Sequence, residues 1–122
     1  MGLSGVRSAG VYDTGVTGDV HAPASNTAAI VTYNADATNK HCISGVAYSY
    51  DVLPTAGKNL KIEDGAGTVI FSIDIVSAKN GEIYFNPPKI GSLNTNLIIT
   101  LAAGGAGITG KVSILGHWIE KP

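Results

Sequence analysis

The chain has 122 residues, of which only 14% are charged, and its formal net charge at pH 7 is −1. This length suits one domain with a hydrophobic core of its own. The small net charge argues against a nucleic acid or an anionic membrane as partner, because neither would be attracted over long range. The single cysteine, Cys42, excludes an internal disulfide and fits assembly in a reducing cytoplasm.

Residues 1–26 are predicted to form an extended N-terminal arm. They contain several glycines and only short apolar stretches, so no periodic apolar face offsets the entropy lost on folding. Tyr12 is a candidate anchor in a partner's pocket, since it is an isolated aromatic residue in a flexible segment. Its neighbours Val11 and Arg7 complete the candidate binding residues of the arm.

Residues 27–122 are predicted to form a β-sandwich domain of about seven to eight strands, because apolar and polar residues alternate with turn signals between them. The predicted strands cover residues 28–33, 41–50, 60–62, 69–75, 82–85, 97–101 and 112–114. Residues 51–57 are a predicted loop, and residues 64–67 a tight turn. No helical periodicity accompanies them, so the fold class is all-β, and a jelly-roll-like sandwich with an N-terminal arm is expected.

The strand at residues 69–75 has the clearest period-two pattern. Its apolar residues, expected to face the core, are Val69, Phe71, Ile73 and Ile75. After it, Asn80-Gly81 predicts a hairpin turn. Pro87-Pro88 is expected to end the next strand, because proline cannot donate a hydrogen bond to a β-ladder.

The segment Gly105 to Lys111 resembles a phosphate-binding loop in its glycine spacing. Such loops work through the N-terminus of a following helix, whereas Lys111-Val112-Ser113-Ile114 alternates as a strand. We therefore interpret the segment as a glycine-rich hairpin loop between the last two strands.

No catalytic residues, metal ligands or cofactor-binding residues are predicted. His21, His41 and His117 lack the spacing of a metal site, and His41 and Cys42 point to opposite faces of a strand. Cys42 is expected to be a small buried or half-buried residue and not a nucleophile. The carboxylates Glu63, Asp64 and Asp74 are expected to be solvated or structural, and the chain is predicted not to be an enzyme.

The stretches 43–50, 60–75, 97–107 and 110–112 resemble small structural proteins of tailed bacteriophage particles, which include capsid decoration (cement) proteins. The resemblance covers about residues 28–118. It implies a jelly-roll-like sandwich, often trimeric, that binds a capsid or tail surface, and an arm that clasps neighbouring subunits. The expected partners are the major capsid protein and two further copies of the chain.

We therefore expect a non-enzymatic virion protein, assembled in the host cytoplasm, that decorates and stabilises the phage head. A tail, baseplate or fibre component would use the same body. A carbohydrate-binding jelly roll would need an exposed aromatic platform with polar groups beside it, for which Tyr48, Tyr50 and Trp118 are candidates. A small hydrolase would need convergent carboxylates or a Ser/His pair.

Overall fold

A computed structural model describes residues 19–56, 58–76 and 79–122, and across them the chain consists of strands and loops without a helix. None of this described part could therefore cross a membrane as a helix. The strands are β1 (Val20–His21), β2 (Ala29–Tyr33), β3 (Lys40–Tyr50), β4 (Asn59–Asp64), β5 (Val69–Asp74), β6 (Asn80–Ile90), β7 (Leu97–Leu101), β8 (Gly110–Ile114) and β9 (His117–Glu120). The predicted all-β class is confirmed.

The strands form two antiparallel sheets. The first has the order β1-β8-β3-β6, with β9 also paired to β3, and the second has the order β2-β7-β4-β5. Strand β8 pairs with residues 46–50 of β3 and β9 with residues 40–43, so both lie along the side of β3 that faces away from β6. The strands at the two ends of these orders are β1 and β6 in the first sheet and β2 and β5 in the second.

The core lies between the inner faces of the two sheets. In the second sheet Leu60 pairs with Leu101, and Ile62 pairs with Ile99, and all four are fully buried. The first sheet contributes the buried side chains of Ile43, Val46, Tyr50, Val112 and Ile114. Along β7 and β8 the buried residues alternate with more exposed ones, as a strand with one buried face requires.

The body of the protein begins earlier than the predicted boundary between residues 26 and 27. Strand β1, at residues 20–21, pairs with Ser113 and Val112 of β8. The backbone N–H of Asn26 donates to the carbonyl of Ile108 at 2.8 Å. Residues 19–26 therefore belong to the sandwich, and the rest of the predicted arm, residues 1–18, lies outside the described residues.

Two predictions about the strand that contains Pro87-Pro88 are wrong. Asn80 and Gly81 are the first residues of β6, and β5 and β6 belong to different sheets, so Asn80-Gly81 does not join a hairpin. Strand β6 also continues through Pro87 and Pro88 to Ile90. It can do so because it is an edge strand, where a missing N–H leaves no ladder hydrogen bond unmade.

The glycine-rich loop is also not a hairpin, because β7 and β8 lie in different sheets. Its glycines have a structural purpose. A Cβ atom at Gly104 or Gly110 would lie within 2.9 Å of the Tyr50 ring. The Tyr50 hydroxyl donates to the carbonyl of Ala102 at 2.7 Å. The loop therefore carries the chain between the sheets and encloses a core tyrosine, and a strand follows it, as predicted.

Candidate functional site

The main candidate for a binding site is the edge of the sandwich where β5 of one sheet faces β6 of the other, which we name the open edge. The Phe71 ring meets the Phe85 ring edge-on, with centroids 4.9 Å apart. Lys89 places its Nζ atom 5.9 and 5.7 Å from the two ring centroids, within cation–π range. These contacts connect the two sheets at an edge that is otherwise open to solvent.

Strand β5 is much less buried than its sequence pattern predicted. Ile75 is only 4% exposed, but Val69 is 50% and Ile73 is 42% exposed, and Phe71 is half-buried. The register shows which way this face points. Phe71 and Ile73 pair with Ile62 and Leu60, both of which are core residues. The apolar face of β5 is directed inward as predicted, but at the edge too little of the opposite sheet covers it.

The backbone of β5 has an unpaired side. Within the described residues β5 pairs only with β4, and the Ile75 N–H donates to the carbonyl of Lys58 at 2.7 Å. Since alternate residues of a strand direct their N–H and C=O groups to opposite sides, Ser72 and Asp74 direct theirs away from β4. Such an edge can accept another strand, and the exposed apolar side chains beside it would then be covered.

A second cluster, the histidine cluster, lies at the opposite side of the sandwich. The Tyr33 ring of β2 stacks on the His117 ring of β9, with centroids 3.7 Å apart and planes inclined by 1°. His41 Nδ1 lies 2.9 Å from His117 Nε2, and His41 Nε2 lies 2.6 Å from the carbonyl oxygen of Asn34. The cluster thus joins the two sheets.

When both histidines are neutral, their hydrogen-bond partners determine which ring nitrogen of each one carries the proton. The carbonyl of Asn34 can only accept, so His41 Nε2 donates to it. His41 Nδ1 is then an acceptor, and His117 Nε2 donates to it. The two rings therefore bind each other instead of converging on an ion. The described residues contain no group of three or more His, Cys, Asp or Glu side chains that could hold a metal.

The carboxylates singled out from the sequence each have a structural partner. Glu63, which is 9% exposed, accepts a hydrogen bond from the Gly67 N–H at 2.8 Å. Asp64 accepts two from Ser92, at 2.8 and 2.6 Å. Asp74 accepts one from Asn59 at 2.9 Å. They hold turns and strands together and do not converge across a cleft.

Cys42 is fully buried, as predicted. Burial, with a smaller effect of the Glu120 charge, raises the pKa of its thiol to about 12. The thiol is therefore protonated at neutral pH, and this does not suit a nucleophile, which acts as the thiolate.

The residues predicted to bind partners or sugars are distributed as follows. Arg7, Val11 and Tyr12 lie outside the described residues. Tyr50 is in the core at 3% exposure and Tyr48 packs against the core, so neither offers an aromatic platform. Trp118 is half-buried, and its Nε1 donates to Glu120 at 3.1 Å.

Three features of the site were not predicted from the sequence. The incomplete cover of β5 gave no signal, because alternation reports which face is apolar and not how much covers it. His41 and His117 are 76 residues apart and meet only because β9 pairs with β3. Tyr84 has an exposed aromatic ring, at 68% exposure, and a clue to this was its place between Ile83 and Phe85 on a strand with alternating faces.

Comparison with protein-family models, with curated proteins and with solved structures found no match to this chain.

Proposed function

We propose that this protein is a non-enzymatic structural component of a tailed-bacteriophage particle, a capsid decoration protein that binds the major capsid protein and stabilises the head. The proposal joins the sequence resemblance to one structural observation, the uncovered apolar face and unpaired backbone of β5. A protein whose role is to fasten to a neighbour needs such a surface, whereas a free-standing protein usually covers or charges it.

The proposed fold within the all-β class is a jelly roll. Its support is the strand pairing: β1 pairs with β8, β2 with β7, β3 with β6 and β4 with β5, all antiparallel. This is the order of a long antiparallel ribbon of four strands against four, folded over into two sheets. Double-sheet jelly rolls of eight strands are the architecture of many viral capsid domains and lectins.

The proposed binding mode is strand addition at the open edge. A strand of the capsid protein would form hydrogen bonds with the outward N–H and C=O groups of β5, near Ser72 and Asp74. Its side chains would cover Val69 and Ile73, which are 50% and 42% exposed. The backbone bonds would give affinity, and the apolar contacts would give specificity.

The arm and a trimeric state complete the proposal. Arg7, Val11 and Tyr12 would contact the capsid surface, and three copies around a symmetry axis would raise the effective concentration of each arm. Virion localisation follows from the same proposal.

Immunogold labelling of purified particles, with an antibody against this chain, tests the proposed function. We expect regular label over the head surface and the protein in the particle by mass spectrometry. Label confined to the tail or baseplate would replace the capsid role with the tail alternative. Absence of the protein from purified particles would contradict any virion role.

A further inference from the structure

The outer face of the first sheet carries a trough that the proposed function does not use. Its floor consists of Ala47 and Ser49, on the central strand β3. Its walls are longer or polar side chains on the strands to either side, Asn80 and Glu82 on β6 and Lys111 and Ser113 on β8. The trough is open to solvent and has a volume of about 460 Å³, which lies in the size range of small-molecule sites.

The strand register explains why a trough forms here. Ala47 lies opposite Glu82 on one side and opposite Ser113 on the other, and Ser49 lies opposite Asn80 and Lys111. The walls are two strand spacings apart, about 10 Å. Small side chains on the central strand between longer ones therefore leave a channel on the sheet surface.

Tyr84 lies beyond the trough lining on the same face, two residues along β6 from Glu82, and is 68% exposed. Its hydroxyl donates to Glu82 Oε1 at 3.1 Å. Its ring lies across Gly45, where a Cβ atom would come within 3.1 Å of Tyr84 Cδ1. Contacts thus hold the ring at both ends. Most of the Tyr84 side chain nevertheless remains exposed, so packing on Gly45 alone does not explain why an aromatic residue stands here.

The polar groups of the trough are of mixed kinds, and Glu82 is already bonded to the Tyr84 hydroxyl through one of its two carboxylate oxygens. Ser49 and Ser113 offer hydroxyl groups, Asn80 an amide, Glu82 a carboxylate and Lys111 an ammonium group. Within the described residues the only ion pair joins Lys61 and Glu63, so Glu82 and Lys111 are not paired across the trough. A ligand with several groups that both donate and accept hydrogen bonds would be matched by this lining.

From this geometry we propose that the trough binds a saccharide, with one sugar ring against the exposed face of Tyr84 and its hydroxyls bonded to Glu82, Lys111 and the trough serines. A sugar ring combines an apolar C–H face with a rim of hydroxyls, and this suits an aromatic platform beside mixed donors and acceptors. A peptide fits less well, because β3 is paired on both sides and offers no free backbone edge. A nucleic acid fits less well, because Lys111 is the only cation lining the trough.

The experiment has two steps. The full-length protein is first screened on an array of oligosaccharides ending in glucose, galactose, mannose or N-acetylglucosamine. The dissociation constant of the best-bound oligosaccharide is then measured by titration calorimetry for the wild type and for Tyr84→Ala, Lys111→Ala and Lys121→Ala. Lys121 is an exposed lysine outside the trough lining and serves as the matched control.

We expect Tyr84→Ala to weaken binding at least about tenfold, as loss of an aromatic anchor does. Lys111→Ala should weaken it by a smaller factor, and Lys121→Ala should leave it unchanged. If Tyr84→Ala fails to fold, Glu82→Gln replaces it, with a weaker dissociation constant expected. Backbone amide shifts in a ¹⁵N NMR titration should centre on Ala47, Ser49 and Ser113.

Absence of binding to every oligosaccharide on the array would overturn the proposal. So would binding that all three variants retain, or amide shifts confined to another face. The site uses the outer face of β6 and no residue of β5, so these outcomes leave the proposed docking at β5 untouched.

Discussion

The two edges of the sandwich are built differently. At the edge formed by β1 and β2, the Ile30 N–H donates to His21 Nδ1 at 3.0 Å and the Tyr33 hydroxyl donates to Asp19 at 2.7 Å. We name this the closed edge. At the open edge the described contacts between sheets are those of Phe71, Phe85 and Lys89. Directional hydrogen bonds thus connect the sheets on one side, whereas mainly ring contacts connect them on the other.

The two strands of the open edge also differ from each other. Strand β6 contains Pro87, Pro88 and Lys89, and all three are features that discourage pairing with another chain. Strand β5 has neither proline nor lysine, and its sequence is Val-Ile-Phe-Ser-Ile-Asp. One edge strand is thus protected against association and its neighbour across the opening is not. This difference is why we assign the binding role to β5.

The largest expected effect contrasts the core with the open edge. Ile62→Ala should cost about 2–5 kcal/mol in free energy of unfolding, because Ile62 is fully buried and a cavity would remain. Ile73→Ala should cost about 1 kcal/mol or less, because Ile73 is already 42% exposed. Urea denaturation at low protein concentration measures both. Equal costs would show that the open edge is covered in the isolated protein.

The next effect concerns the closed side of the molecule. His41→Ala should cost about 2–4 kcal/mol, since it removes two hydrogen bonds from a side chain that is 6% exposed and leaves a cavity. His21→Ala is the control, because water can replace its hydrogen bond with the exposed Ile30, and it should cost about 1 kcal/mol or less. Thermal unfolding of the two variants checks the order. The reverse order would mean that His21, and not the histidine cluster, holds the sheets together.

Alkaline pH should lower the free energy of unfolding through two buried groups, Tyr50 and Cys42. Burial raises the pKa of Tyr50 from 10.0 to about 12, and that of Cys42 from 9.0 to about 12. Between about pH 9 and pH 12 the unfolded chain therefore releases protons that the folded protein retains. The free energy of unfolding is unaffected by these groups below pH 9 and falls as the pH rises through this window.

The double variant Tyr50→Phe/Cys42→Ala isolates this effect, because neither replacement titrates. Its free energy of unfolding should fall less steeply than that of the wild type between pH 9 and pH 11. Urea denaturation along a pH series measures the slopes. Identical slopes would show that the two groups do not lose protons on unfolding in this range.

The local features of this fold could be predicted from the sequence, and the sheet assignment could not. Alternation located most strands, and the aspartate and glycines at residues 64–67 located the β4–β5 turn, where Gly65 and Gly67 have φ angles of 79° and 90°. The same signals at Asn80-Gly81 and in the glycine-rich loop were misleading. A glycine marks a change of direction, but it does not say whether the chain re-enters the same sheet.

The candidate sites were even less accessible from the sequence. Val69 and Ile73 have the alternating pattern of core residues, but they are exposed on an edge strand, and the edge position depends on the sheet order and not on the local pattern. Two-residue β1 is too short to give a periodic signal, and β9, His-Trp-Ile-Glu, has adjacent apolar residues and so lacks a period-two pattern. Pairings between distant segments therefore create both edges, and local patterns do not record them.

Two lysine substitutions test which of the two edges binds particles, and they are expected to have the smallest effect on stability. Ile73→Lys places a charge on the exposed apolar face of β5, and Thr32→Lys makes the matched change at an exposed position of β2 on the closed edge. Each should change the free energy of unfolding by about 1 kcal/mol or less, because both positions are exposed. Lysine on an edge strand nevertheless discourages the addition of another strand, because burying its ammonium group is costly. Only Ile73→Lys should therefore abolish binding to particles that lack the protein, measured as bound copies per particle. Thr32→Lys should bind like the wild type. Equal binding by both variants would remove β5 as the docking strand, and equal loss would show that the two edges act together.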